Sequence, residues 1–185
     1  MNPIILIGPI GSGKSTQGRL LAEALGLPQY SMDVLRWDYY AEVGYDKAEE
    51  DRIMAEDGFP GVIIYWKPFE VHAVERLLAD HPCDAVLDFG AGHSVYADPA
   101  QFARVQAALA ACPNVVLLLP SPDLDESVRI SKERQGHQTW YENDFDELFV
   151  KHPSNQTLAK HVVYTQGKTP DQTRDDILRR LGLMR

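Results

Sequence analysis

IILIGPIGSGKST, residues 4–16, joins an apolar run to a loop in which glycine recurs at positions 8, 11 and 13. The run IILI has the length and β-branched content of a strand buried on both faces. Residues 8–15 match the pattern G-x-x-x-x-G-K-[ST], and Leu20, Leu21, Ala24 and Leu25 then fall on one face of a helix. Strand, glycine loop and helix in that order turn successive backbone N–H groups inward on a phosphate, while the helix N-terminus and the Lys14 ammonium add positive charge. Gly11, Ser12, Gly13, Lys14, Ser15 and Thr16 are therefore candidate ligands of a nucleoside triphosphate. Ser15 is placed to hold Mg2+ and Thr16 to bond an inner phosphate.

Working outward, three more apolar runs bounded by turn residues read as strands: DAVLDF (84–89), NVVLLL (114–119) and HVVYT (161–165), with LPQYS (27–31) as a weaker fifth. Helix starts follow at Asp98-Pro99, Ser121-Pro122 and Thr169-Pro170, each offering a side-chain cap, proline at the first helical position and a polar first turn. Ile177, Leu178 and Leu181 give the last helix one apolar face. Alternating strands and capped helices define an α/β fold with a parallel sheet and helices on both sides. The chain reads as a single domain spanning residues 1–185.

Two stretches break the rhythm. Residues 31–80 show helical patterns without a strand and, with Tyr30, hold nine of the chain's seventeen aromatic residues, so this insertion is either a pocket for a ring-bearing compound or a core of its own. Residues 135–147 are polar and weakly periodic. Insertions beyond the carboxyl ends of strands are where α/β proteins hold and cover their substrates.

Two carboxylates stand where phosphoryl chemistry needs them. Asp88 ends the third strand and can orient Mg2+ or its water, while Asp33 follows a short strand just inside a helix, where a base could receive a hydroxyl proton. Their bland alternatives are a turn cap and a dipole-stabilising acid. A guanine-reading N-K-x-D segment is missing, and YTQGKTP (164–170) occupies the place where the loop after the last strand lies against adenine, so Gln166 is a candidate base contact and ATP the expected donor.

The bulk numbers narrow the partners. A formal charge of −9 disfavours a main role in gripping nucleic acid or an anionic membrane, and no stretch nears the ~20 apolar residues of a membrane span. Cys83 and Cys112 are not spaced as a metal site and read as two buried thiols rather than a disulfide, which fits a cytoplasmic protein acting as monomer or homodimer.

With these residues in hand, the chain resembles the shikimate kinase group of the nucleoside-monophosphate-kinase-like P-loop kinases. IILIGPIGSGKSTQGRLLAEALG carries the group's strand, loop and G-x-x-L-A-x-x-L opening. The resemblance implies a three-layer P-loop kinase fold with a five-stranded parallel sheet in the order 2-3-1-4-5, a helical substrate-binding insertion (31–80) and a lid (131–147). The group's D-x-D appears as SMD, which gives Asp33 the base role and replaces the other carboxylate by Ser31. Its F-R-x-x-E resembles WKPFE, placing Lys67 at the acceptor-carboxylate position and Glu70 as the supporting acid. Gly90, Ala91 and Gly92 match the glycine triplet that backs the acceptor. Arg129 and Arg134 fall where the group stacks an arginine on adenine and sends another from the lid to the transferred phosphate. The R-P-L-L lid segment is missing.

These readings converge on an ATP- and Mg2+-dependent phosphotransferase acting on a hydroxyl of a small metabolite. Lys14, Asp33 and Arg134 form its expected catalytic set, Ser15 and Asp88 its metal ligands. Ser31, Lys67 and the missing lid segment point away from shikimate itself. The alternatives are a nucleoside or nucleotide kinase and a nucleotide-binding regulator without phosphotransfer.

Overall fold

The computed structural model describes residues 1–135 and 145–184. Five parallel strands, β1 (Ile4–Ile7), β2 (Gln29–Ser31), β3 (Val86–Asp88), β4 (Val115–Leu119) and β5 (His161–Tyr164), lie in the order β2-β3-β1-β4-β5. The weak candidate at 27–31 is thus a real edge strand, and β1, with all four residues fully buried, lies at the centre.

Side-chain alternation divides the core in two. Ile4, Leu6, Val86, Val116, Leu118 and Val163 pack against Leu21 of α1 (Lys14–Leu25) and Ile177 of α8 (Pro170–Arg180). Ile5, Ile7, Leu87, Val115 and Leu117 face the other way, toward α3 (Lys47–Asp80) and α4 (Pro99–Leu109). Each fully buried aliphatic side chain contributes about 1.5–3 kcal/mol. An apolar face on each side of one sheet is why helices must cover both.

Caps set where these helices begin. Asp98 accepts from Ala100 and Gln101 at the start of α4, and Thr169 forms a reciprocal capping box with Gln172 at the start of α8. The expected Ser121-Pro122 start is corrected: Asp123 caps α5 (Leu124–Arg134), while Ser121 Oγ accepts from the Asp123 N–H, so the proline precedes the helix. Asp123 wins because its oxygen reaches the N–H groups of Asp125 and Glu126 together.

Between β2 and β3 run α2 (Met32–Glu42) and α3, which breaks at Gly58, where φ is 67°. Tyr40 is fully buried among Trp37, Tyr45 and Phe69, and Tyr65 packs on Tyr45 and Phe69, so most of these aromatics form a core rather than a pocket wall. Helix α6 (Phe145–Lys151) packs on α5, and α7 (Pro153–Leu158) packs on α4 and on the 3-10 turn at Ala91–Ser94. Residues 136–144 of the expected lid lie outside the described residues. Both cysteines are free thiols, but neither is buried as expected: Cys83 is exposed in the loop between α3 and β3, and Cys112 is half-buried in the loop between α4 and β4. Among the described residues no helix is long and apolar enough to cross a membrane.

The polar stretch KHPSNQ acts as a buttress. Ser94 Oγ donates to Asn155 Oδ1 at 2.7 Å, Asn155 Nδ2 donates to the Phe149 carbonyl at 2.7 Å, and Ser154 Oγ donates to the Tyr96 carbonyl. Asn155→Ala strands two buried groups, the Ser94 hydroxyl and the Phe149 carbonyl, and costs about 3 kcal/mol of unfolding free energy in denaturant titration.

Candidate active site

Parallel pairing brings every strand's carboxyl end to one edge. Asp88 is in register with Ser31 on one side and Leu6 on the other, so the loops after β1, β2 and β3 leave the sheet side by side.

The loop after β1 has the shape expected of a phosphate cradle. Gly11 and Gly13 sit at φ 73° and 95°, a backbone that L side chains rarely adopt, and the start of α1 has no side-chain cap. Among the described residues nothing lies within 4 Å of a Cβ built on Gly13, and the Ser12 hydroxyl is buried without a hydrogen-bond partner. Lys14 is buried, with Nζ donating to the carbonyls of Gly8 and Pro9 at 2.8 Å each. Burial pulls its ammonium down to about 8 from 10.5, against the opposing pull of Asp33 and Asp88. Both carboxylates therefore stand close enough to bias Lys14. The open helix start, orphaned hydroxyl and buried ammonium fit a polyphosphate.

Asp88 is 2% exposed, and its Oδ2 accepts from Gln29 Nε2 at 2.6 Å. The same amide lies 3.4 Å from the Ser15 carbonyl, tying the two expected metal ligands together. Gly18 makes room for this contact: a Cβ there would fall 2.5 Å from Gln29 Nε2 and 3.1 Å from Asp88 Oδ2. Sequence reasoning missed Gln29, whose only signal is an amide in an otherwise strand-like run.

On the acceptor side, Asp33 is exposed in the first turn of α2, under the Ser31 N-cap. A Cβ on Gly90 would lie 2.5 Å from Asp33 Oδ1 and 2.8 Å from His93 Nδ1, so the turn must be bare for both side chains to approach it. His93 is buried; its Nε2 meets the Tyr40 hydroxyl at 3.2 Å and its Nδ1 has no partner. Burial, reinforced by Lys67 and Arg36, holds this imidazole neutral, well below its ordinary pKa. Lys67 Nζ donates to Glu70 Oε2 at 2.5 Å and to the Gly92 carbonyl at 3.0 Å. Burial pushes the Glu70 carboxyl upward despite Lys67. A Cβ on Gly92 would overlap Glu70 Oε1, which that ion pair holds in place. Gly92→Ala therefore destabilises the chain by about 1–3 kcal/mol, read in thermal or denaturant unfolding, and its melting point falls most if Lys67 cannot follow Glu70.

The expected base contacts share one carboxylate. Arg129 pairs with Glu126 and Glu133, and Gln166 Nε2 donates at 3.1 Å to Glu126 Oε1, the oxygen that Arg129 also contacts. Arg134 donates to the Gly11 carbonyl at 3.1 Å and to Thr165 Oγ1 at 3.0 Å, joining α5 to the glycine loop and to the end of β5. The structure thus gathers Lys14, Asp33 and Asp88 at one edge, sets Lys67 and the Gly90–Gly92 turn beside Asp33, and places Arg129 and Gln166 together on α5 and the last loop. Among the described residues no group of three His, Cys, Asp or Glu side chains forms a ready-made metal cage.

No protein-family model matches the chain. It is 30% identical over 179 residues to a shikimate kinase of Streptomyces coelicolor, covering 91% of this chain and 89% of that protein. A shikimate kinase of Streptomyces avermitilis is 31% identical over 184 residues, covering 97% and 95%. Among solved structures, the shikimate kinase of Acinetobacter baumannii in complex with shikimate superposes with a TM-score of 0.64 at 23% identity, over 99% of this chain and 92% of that one. That likeness is one of fold.

Proposed function

Since the chain belongs to the shikimate kinase family, we propose that it moves the γ-phosphoryl group of ATP, with Mg2+, onto a hydroxyl of a small metabolite other than shikimate. The observation that carries this reading is the shared edge of Lys14 and Asp33: a phosphate-side cation and an exposed acceptor-side carboxylate feel each other's charge.

Lys14 leaves the carbonyls of Gly8 and Pro9 and moves onto the phosphoryl oxygens, where its charge is matched as negative charge spreads. Ser15 and Asp88 would hold Mg2+, which would supply positive charge to offset the negative charge of the phosphates. Asp33 accepts the acceptor's hydroxyl proton, and Gly90, Ala91 and Gly92 form the surface on which the acceptor lies. Arg134 reaches the transferred group from its seat on Gly11 and Thr165. Arg129 and Gln166 flank the adenine.

Two departures argue for a changed acceptor. Ser31 stands where the family's other carboxylate would, and Lys67, a point charge already engaged by Glu70 and Gly92, replaces a bidentate arginine. A second reading, a nucleotide-binding regulator, is supported by Ser31 and by the missing R-P-L-L segment. A panel of hydroxylated metabolites, including shikimate and nucleosides, tests both by ADP release with ATP and Mg2+. A kinase gives acceptor-dependent ADP and a phosphorylated product; a regulator gives ATP-dependent stabilisation with no acceptor effect.

A further inference from the structure

Arg36 lies one turn after Asp33 on α2. Its guanidinium carbon sits 4.3 Å from the Trp37 ring centroid and 5.0 Å from that of Trp66, in the corner made by two indoles whose planes meet at 78°. Its Nε is buried without an acceptor. Among the described residues, the other arginines are paired with carboxylates, except Arg134, which donates to Gly11 and Thr165. Arg36 makes no ion pair although the chain carries an excess of acid.

Arg36 interacts with the Tyr40 hydroxyl, which in turn meets His93 Nε2 at 3.2 Å, and its charge also bears on the Glu70 carboxyl and the His93 ring behind the Gly90–Gly92 turn. Glu70 is held by Lys67 at 2.5 Å and Asp33 also bears on it, so two cations face two carboxylates here, of which, among the described residues, only Lys67 and Glu70 are in contact as an ion pair. Stacking on indoles fixes a guanidinium's plane, and the N–H groups that Tyr40 does not take stay available for in-plane capture of an oxyanion. A half-buried cation without a counter-ion is costly, and a ligand group can supply what the fold does not.

We infer that Arg36 is the anion receptor of the acceptor site: the metabolite carries, besides the hydroxyl presented to Asp33, an oxyanion bound by Arg36 in the corner of Trp37 and Trp66. This rests on the phosphotransferase reading and shifts the anion contact from the family's Lys67 position to α2. The class is a hydroxylated carboxylate or a hydroxylated phosphate monoester.

The test uses three sets of compounds: hydroxy-carboxylates, their neutral amides, and phosphate monoesters of diols. Binding is read by calorimetry with Mg2+ and a non-hydrolysable ATP analogue, and turnover by ADP release. The expected result is that wild type prefers one anionic set over the neutral amides, that Arg36→Gln lowers kcat/KM for that set by about 100-fold, and that Arg36→Lys recovers part of it. Carboxylates and phosphates are distinguished by which set wins. Superimposable circular dichroism spectra and cooperative thermal unfolding of wild type and variant show that the variant is folded. Wild type favouring neutral acceptors, or an anion preference unchanged in Arg36→Gln, overturns the inference while leaving the kinase reading intact. Arg36-dependent anion binding with no turnover of any compound upholds the inference and removes the kinase reading. If no anionic compound binds or reacts, the inference falls.

Discussion

Lys14→Met phosphorylates the acceptor at least about 10²–10³-fold more slowly than wild type, the usual loss when one preorganised transition-state donor is removed, yet the nucleotide-free variant is the more stable protein at pH 7. The two effects have one cause. Lys14 is 8% exposed, and burial draws its ammonium from 10.5 to about 8, so folding desolvates a cation that only loop carbonyls receive. Below pH 8 both folded and unfolded chains carry the proton, and the whole penalty, on the order of 3 kcal/mol for a shift of this size, falls on the fold. Between pH 8 and 10.5 the unfolded chain holds the proton that the folded one has released, so wild-type stability gains a positive contribution with rising pH. Methionine fills the same volume without charge and removes this rise, although each lost bond to Gly8 or Pro9 returns about 1 kcal/mol. Denaturant titrations from pH 7 to 10.5 read the slope. If Lys14→Met is less stable at pH 7 and keeps the wild-type rise, the buried ammonium is not the source of the strain.

The glycine loop made the centre of this fold legible because its spacing, its preceding strand and its following helix all require one another. Strand order came from resemblance, since four similar apolar runs say nothing of their neighbours. Caps were legible at Asp98 and Thr169; at Ser121 two candidate oxygens competed, and geometry alone selected Asp123. What stayed hidden were contacts between distant residues: Gln29 with Asp88, Asn155 with Ser94, and Arg36 with Trp66. No local period marks such pairs, because each depends on how α1, α2, α3 and α7 are carried onto the sheet. The aromatics of residues 31–80 show the same limit. Composition could not separate pocket from core, whereas Tyr40, fully buried and bonded to His93, belongs to the core and supports the acceptor turn from behind.

Asp33→Asn lowers turnover about 10²–10⁴-fold, the range of a positioned general base, while acceptor KM changes only a few-fold and stability at pH 7 falls only by the lost attraction for Lys14. Asp33 is exposed, so the fold owes it little, and the amide keeps its size and its ability to bond a hydroxyl. What the amide lacks is the capacity to take the proton. A second effect follows from the charge removed. Asp33 raises the proton affinity of Lys14, so its loss carries Lys14 below about 8, and the rise of nucleotide-free stability with pH begins at lower pH in the variant. Activity and stability thus report the same carboxylate through separate channels. A kcat retained in Asp33→Asn with the true acceptor removes the base role. A stability profile superimposable on wild type would instead show that Asp33 and Lys14 do not share a site. Only loss of turnover together with the displaced pH profile places phosphoryl group and acceptor hydroxyl at the edge where β1 and β2 end.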